Sequence, residues 1–111
     1  MADAAPLLKG TLDVLVLKAL SAGPMHGFEI ALWLEDRSDG RLAVEDGALY
    51  QALHRMEARR LLEADWGVTE NNRRARYYRL SPAGRKHLRA ESASLLQYAR
   101  TVMTILAERT A

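Results

Sequence analysis

The chain has 111 residues and contains no cysteine, only three prolines and a single phenylalanine. Without cysteine, neither a disulfide nor a thiolate zinc site can form, and a reducing compartment is permitted. Asp13 and Lys18 interrupt the apolar run Leu12–Leu20, which leaves it too short for an export signal or a membrane span. We therefore expect a single cytoplasmic unit with no membrane partner, small enough to gain stability from oligomerising.

Sequence features typical of catalysis are also missing. There is no Ser/His/Asp arrangement, phosphate-binding loop or cofactor fingerprint. His26, His54 and His87 fall in different predicted elements, and none has a second metal ligand four residues further on. The sequence therefore predicts a protein that is not an enzyme and that has no cofactor and no metal site.

Charge is nearly balanced along the whole chain but unevenly distributed. The formal net charge is only +2, yet residues 73–79 contain four arginines and no acidic residue. Acidic residues instead load the middle of the chain, at Glu29, Glu35, Asp36 and Asp39. A local basic tip on a nearly neutral body is typical of a surface that contacts a nucleic-acid groove or phosphates.

The stretch from Asp46 to Leu80 carries the clearest structural pattern. Its first part, Asp46–Leu61, predicts a helix with Asp46 as N-cap, since apolar residues recur at the spacing of one buried face. That buried face holds Leu49, Ala52, Leu53 and Met56. The opposite face mixes small, hydrogen-bonding and cationic side chains, as expected of a helix in a DNA major groove: Gly47, Tyr50, Gln51, His54, Arg55 and Ala58.

Two strands are predicted directly after this helix. Leu62–Val68 alternates in hydropathy, Asn71 and Asn72 indicate a turn, and Tyr77–Leu80 is the return strand. Arg73, Arg74 and Arg76 lie at the turn and the start of the return strand. A helix followed by a hairpin with a basic tip is the DNA-contacting half of a winged helix.

The segments before Asp46 complete the same architecture. Leu8–Ala22 predicts a helix that is apolar on most sides, and Met25–Arg37 predicts a second helix. The inward-facing residues of this second helix are expected to be Phe28, Ile30, Ala31, Trp33 and Leu34. Leu42–Val44 is expected to form a small strand beside the hairpin. We predict an α+β fold, mostly α, in which residues 1–80 form a winged helix-turn-helix domain.

The last segment, residues 81–111, predicts a long dimerisation helix. Ser81 is the expected N-cap, Pro82 occupies the first helical position, and the helix can extend to about Glu108. Its apolar positions are spaced by four and three residues, which is a heptad seam: Leu88, Ser92, Leu95, Ala99, Val102 and Leu106. A helix this long extends past a domain of this size, so a second copy of the chain is the expected partner.

Three stretches together resemble the PadR-like bacterial transcriptional regulators: MHGFEI (25–30), GALYQALHRMEARRLLEADWG (47–67) and NNRRARYYRLSPAGR (71–85). With the opening LKGTLDVLVLKAL (8–20), the likeness covers nearly the whole chain and is to the short branch with one C-terminal helix. It implies repression through operator binding by a C2 dimer, in which the last helix packs across the partner's first helix. The implied interface residues are Leu8, Leu12, Leu15, Leu88, Leu95, Leu96, Ala99, Val102, Met103 and Leu106.

The resemblance also implies contacts to double-stranded DNA. It assigns them to Gly47, Ala48, Tyr50, Gln51, His54, Asn72, Arg73, Arg74 and Arg76, and the exposed-face pattern adds Arg55. This chain departs from the family at two positions, since the family often has serine or threonine at Ala48 and proline at Gln51. Ala48 lacks a hydroxyl for a phosphate, whereas Gln51 gains an amide that can read adenine. The operator sequence therefore does not carry over.

Other interpretations of these residues stay open. His26 fits a helix-start or packing residue, and Trp33 and Trp66 fit core and hairpin packing. Some family members bind flat aromatic effectors near the dimer interface, which leaves a small aromatic effector as an alternative role for the tryptophans. The arginines of the hairpin could instead meet an acidic protein partner, or the chain could be a ligand sensor whose role on DNA is secondary.

Overall fold

The computed structural model describes residues 5–6 and 10–110 and contains four helices and five strands. The helices are α1 (Thr11–Leu20), α2 (Gly27–Arg37), α3 (Asp46–Ala58) and α4 (Pro82–Leu106), and the strands are β1 (Ala5–Pro6), β2 (Met25–His26), β3 (Leu42–Ala43), β4 (Leu62–Val68) and β5 (Arg74–Leu80). The predicted order of helices and hairpin strands is confirmed. Leu8, where the first helix was expected to begin, lies outside the described residues.

The main sheet is antiparallel with strand order β2-β5-β4. Its hairpin pairs Leu62 with Leu80 at one end and Val68 with Arg74 at the tip. The expectation that Leu42–Val44 lies beside this hairpin is wrong. Residues 42–43 instead pair in parallel with β1, and the two-residue strand β2 takes the place next to β5.

One apolar cluster joins all four helices to the hairpin. The largest fully buried side chains come from α1, α2 and α3: Val16, Leu17, Leu20, Ile30, Leu49, Leu53 and Met56. The buried face predicted for α3 is therefore confirmed. Because α1 is covered by α2, α3 and α4, its apolarity on most sides has a packing explanation.

The start of α3 differs from the expectation. Asp46 is already helical, and Glu45 is the N-cap residue, without a side-chain hydrogen bond to the first turn. The carboxylate of Asp46 therefore acts at most through its charge near the positive end of the helix dipole. At the other end α3 stops at Ala58, earlier than Leu61, because Arg60 takes the left-handed conformation with φ of 62°.

Helix α2 also begins two residues later than predicted, and one of its side chains points the other way. His26 caps it: its Nδ1 accepts a hydrogen bond from the Glu29 amide at 3.3 Å, and Glu29 Oε1 accepts one from the His26 amide at 3.1 Å. Ile30 and Leu34 are buried as expected. Phe28 is 66% exposed, so its expected inward orientation is wrong; at 100° per residue it lies well off their stripe.

The junction between the hairpin and α4 is tightly packed. Ser81 is the N-cap as predicted, with its hydroxyl accepting from the Gly84 amide at 3.0 Å. The same hydroxyl donates to the carbonyl of Arg60 at 2.7 Å. A Cβ at Gly84 would overlap the Leu61 carbonyl oxygen, so only glycine lets α4 approach the turn after α3 this closely.

Candidate nucleic-acid interface

The polar face predicted for α3 is exposed to solvent. Gly47, Ala48, Gln51 and His54 are all accessible, and Tyr50 is 45% exposed. The Tyr50 ring packs against the start of α2. A Cβ at Gly27 would lie only 2.6 Å from the Tyr50 hydroxyl oxygen. Glycine at that position therefore lets the tyrosine ring connect the exposed face of α3 with α2.

Arg55, on the same helix, is held by an ion pair. Its guanidinium donates to a carboxylate oxygen of Asp13 in α1 at 2.6 Å. About half of the Arg55 side chain stays exposed, so the pair is worth little stability by itself. It does orient the guanidinium toward α1, and this is a positioning contact that the sequence alone did not indicate.

The hairpin tip is a short closed turn. The Thr69 amide donates to the Arg73 carbonyl at 2.8 Å, and the Asn72 amide donates to the Thr69 carbonyl at 2.9 Å. Asn72 adopts φ of 61°, which asparagine tolerates better than most residues. This turn places Asn72 and Arg73 at the exposed end of the wing, which we define as β4, β5 and residues 69–73.

Alternation along the strands sorts the wing residues onto two faces. Trp66, Arg74 and Arg76 share the inner face with Tyr78, whose pKa is raised by burial. The guanidinium carbon of Arg74 lies 4.7 Å from the centre of the Trp66 ring. Arg76 forms a bidentate ion pair with Glu57 of α3, at 2.9 and 2.7 Å, and so ties the wing to that helix.

The arginine on the outer face of the wing is paired with two acidic side chains. Arg79 pairs with Glu63 at 3.5 Å and hydrogen-bonds to Asp65, and these acidic neighbours raise the pKa of its guanidinium above the ordinary value. Within the described part of the chain, the wing arginines without a carboxylate partner are therefore Arg74 on the inner face and Arg73 at the tip.

The exposed face of α3 and the inner face of the wing enclose one cleft of about 820 Å³, here called the recognition cleft. Its lining is His26, Gly27, Phe28, Tyr50, His54, Trp66, Thr69, Asn71, Arg73, Arg74, Ala75, Arg76 and Tyr78, with no aspartate or glutamate among them. Tyr50, His54, Arg73, Arg74 and Arg76 were expected at such a site. Gly47, Ala48, Gln51, Arg55 and Asn72 do not line it.

Eight lining residues were not identified from the sequence as part of this site: His26, Gly27, Phe28, Trp66, Thr69, Asn71, Ala75 and Tyr78. His26 was expected at a helix start, which is confirmed, but it also borders the cleft. Trp66 was expected to pack within the hairpin and is instead 63% exposed. The period-2 alternation with Leu62 and Ala64 could have placed Trp66 on the inner face, and the 100° helical spacing could have placed Phe28 off the buried stripe of α2.

The residues expected at a dimer interface divide into two groups. Leu88 is buried within the chain itself, and Leu12, Leu15 and Leu95 pack partly against the core. Ala99 and Val102 are half-buried, while Leu96, Met103 and Leu106 are exposed. Toward its end, α4 thus presents apolar side chains that the other described residues of the chain leave exposed.

The helices, the three-stranded sheet and the cleft between α3 and the wing define a winged helix-turn-helix protein. A family model matches residues 16–90, and the chain belongs to the Transcriptional regulator PadR-like family. The resemblance seen in the sequence is thereby confirmed. The chain is a transcriptional regulator of this family, whose members are regulators rather than enzymes.

Individual relatives are similar over most of this chain. The transcriptional regulator Rv3488 of Mycobacterium tuberculosis is 39% identical over 89 residues, which span 79% of this chain and 78% of that protein. A 37.1 kDa protein in a Streptomyces fradiae transposon is 41% identical over 83 residues, or 75% of this chain, but the match spans only 22% of that protein.

Solved structures show the same fold. A PadR-like regulator from Bacillus cereus superposes with a TM-score of 0.79 at 24% identity, covering 92% of this chain and 97% of that one. A PadR family regulator from Eggerthella lenta superposes with a TM-score of 0.75 at 28% identity, covering 91% and 86%.

Two further findings concern membrane-spanning helices and metal sites. Within residues 10–110, no helix has both the length and the apolarity that crossing a membrane requires. The same part of the chain has no group of three or more histidine or acidic side chains arranged to hold a metal ion.

Proposed function

We propose that the chain binds double-stranded DNA as a homodimer and represses transcription from an inverted-repeat operator. One observation carries the proposal: Tyr50 and His54 of α3 line a single cleft with the arginine-bearing face of the wing, and none of the described residues lining it is an aspartate or glutamate. A helix of this width fits the major groove, and a basic hairpin beside it meets the adjacent backbone or minor groove.

The residues of this surface take different roles in the proposal. Gln51, with Ala48 and His54 as neighbours, reads base edges from the exposed face of α3. Arg73 and Arg74 contact phosphates, which fixes register and adds affinity for any sequence. Arg55 and Arg76 are paired with Asp13 and Glu57, so we assign them to positioning α3 and the wing.

The homodimer in this proposal is supported by the surface of α4. The helix has 25 residues, about 37 Å in length. The molecule measures 60 Å along its longest axis against 21 Å along its shortest. Tyr98, Met103, Ile105 and Leu106 are each at least 60% exposed toward the end of this helix. Such a patch on a small chain marks an interaction surface, and the heptad seam makes a second copy of the chain the occupant.

A small aromatic effector that releases the operator remains a part of the proposal. The alternatives are a protein-interaction module and a ligand sensor with a secondary role on DNA. Salt distinguishes the first alternative from DNA binding, because a protein that neutralises phosphates loses affinity for random duplex steeply as salt rises.

In vitro selection from a library of random duplexes tests the proposal directly. We expect enrichment of an inverted repeat whose half-sites lie about one helical turn, or a multiple of it, apart. Binding of the selected duplex should exceed that of a scrambled duplex at the same salt. No enrichment, together with salt-independent binding to random duplex, would contradict a DNA-binding role.

A further inference from the structure

The recognition cleft has more exposed aromatic surface than phosphate contacts need. Phe28 is 66% exposed, Trp66 63% and Tyr50 45%, and all three line the cleft. Contacts to the backbone of a duplex come mainly from cationic and hydrogen-bonding groups, not from ring faces. Exposed rings gathered in one concave site instead suit a flat ligand that can stack on them.

The cleft also has two arginines that can bind an anion, and one of them lies beside the Trp66 ring. Arg74 lies against the Trp66 ring at 4.7 Å, and Arg73 follows the turn directly. Among the described residues neither arginine forms a salt bridge, whereas Arg76 is already neutralised by Glu57. Guanidinium groups bind phosphate oxygens with strong, charge-assisted hydrogen bonds.

The polar side chains and the volume of the cleft further restrict the class of ligand that fits it. Thr69 and Asn71 line the same cleft and can hydrogen-bond to a sugar or to a base edge. The volume of about 820 Å³ lies within the range of sites that take small organic ligands. A flat ring, an adjacent anion and polar groups between them are together the chemistry of a nucleotide.

We propose that the recognition cleft binds a free nucleotide, with the base against Trp66 and the neighbouring exposed rings and the phosphate on Arg73 and Arg74. A nucleotide in this position occupies the surface that α3 and the wing present. It therefore competes with duplex DNA and acts as an effector from the DNA-facing side. The competition rests on the proposed function, whereas nucleotide binding to the free protein does not.

Nuclear magnetic resonance of the intact protein tests binding without any substitution. The chain has two tryptophans, and Trp33 lies outside the cleft, partly packed against the core. The probes are AMP, adenosine, which lacks the phosphate, and ribose 5-phosphate, which lacks the base. We expect AMP to shift the indole N–H signal of Trp66 but not that of Trp33. AMP should bind about tenfold tighter than either fragment, since base stacking and phosphate contact add.

Variants test which side chain contacts the base and which contacts the phosphate. Trp66→Leu should weaken AMP and adenosine but leave ribose 5-phosphate unchanged. Arg74→Ala should weaken AMP and ribose 5-phosphate but leave adenosine unchanged. Arg89→Ala removes an exposed arginine of α4 and should change none of the three. Equal affinity for AMP and ribose 5-phosphate would mean that the cleft binds phosphate alone, and this would overturn the proposal. A shift of the Trp33 indole N–H signal instead of the Trp66 signal would overturn it as well.

Displacement of a fluorescent duplex by AMP then separates this proposal from the proposed function. Displacement with the Trp66 shift supports both. The Trp66 shift without displacement keeps the nucleotide site and overturns the placement of DNA in this cleft. Duplex binding with no response of Trp66 to AMP overturns the nucleotide site alone.

Discussion

At the scale of single residues, burial was predictable where a periodic stripe decides it. Leu49, Leu53 and Met56 are buried because a helix brings positions three and four apart onto one face. Phe28 and Trp66 were misjudged since hydrophobicity alone suggested burial, whereas both lie on helix or strand faces that extend past the core. The ion pair between Arg76 and Glu57 joins residues 19 apart in sequence, and no local pattern reveals such a partner.

Gly84 is a residue where a single methyl group should matter. Gly84→Ala directs a Cβ into the Leu61 carbonyl oxygen, so we expect a loss of about 1–3 kcal/mol in the free energy of unfolding. Gly47→Ala is the matched control: a Cβ there meets nothing within 4 Å in the exposed first turn of α3. Alanine there should be neutral or stabilise by up to about 1 kcal/mol. Urea unfolding measures both, and equal effects of the two changes would contradict the packing at Gly84.

Gln51 should carry sequence reading. Its amide can bond adenine with a donor and an acceptor at once, which is worth about 1–3 kcal/mol against a wrong base. Gln51→Ala should therefore lose affinity for the selected inverted repeat while binding to scrambled duplex stays nearly intact. Competition between the two duplexes at fixed salt measures this. Equal losses on both would make Gln51 a backbone contact and leave the specificity unexplained.

At the scale of elements, the three long helices of the domain, the hairpin and α4 were all predictable, because each is long enough to show its period or carries a cap. β2 was not, since Met25–His26 has only two residues and acquires its strand conformation by pairing with Tyr77 and Tyr78. Strand β5 begins at Arg74, three residues before the apolar pattern starts, because pairing with β4 continues to the tip of the wing. Tertiary pairing, not propensity, sets these boundaries.

The wing should supply affinity more than sequence choice. Arg73→Ala with Arg74→Ala removes two cations that have no carboxylate partner among the described residues, so binding to operator and to random duplex should weaken alike. The slope of affinity against salt should also flatten, by about 0.9 for each phosphate that the variant no longer neutralises. Fluorescence anisotropy across a salt series gives both quantities.

Arg79→Ala is the control for the wing, because Arg79 lies on the same strand but on the outer face, paired with Glu63 and Asp65. It should leave affinity and salt slope nearly unchanged. If the double variant altered operator preference while random binding stayed the same, the arginines would be base readers instead.

At the scale of the whole molecule, the sequence predicted that α4 extends past the rest of the chain. It did not predict which part of α4 packs on the chain's own core. Among the described residues, Leu88 near the start of α4 is buried in the chain's own core, Ala99 and Val102 further along are half-buried, and Leu106 at the end is exposed. Heptad spacing does not distinguish packing on α1 of the same chain from packing on a second copy, since both bury the same face of the helix. The recognition cleft was not predictable from local patterns either, because it depends on how α2 packs against the wing, and these segments are far apart in the sequence.

The homodimer prediction is tested on the heptad seam of α4. Leu95→Asp with Val102→Asp places two charges on the seam, and burying them unpaired would cost several kcal/mol in a dimer. Gln97→Asp with Thr101→Asp adds the same charge on the opposite, exposed side of α4. We expect the control to sediment as a dimer at micromolar concentration and the seam variant to sediment as a monomer. Because Leu95 also packs on the core of its own chain, circular dichroism must show that the seam variant keeps its helices. A folded seam variant that still sediments as a dimer would place the interface elsewhere, and the inverted-repeat geometry would then need another twofold contact.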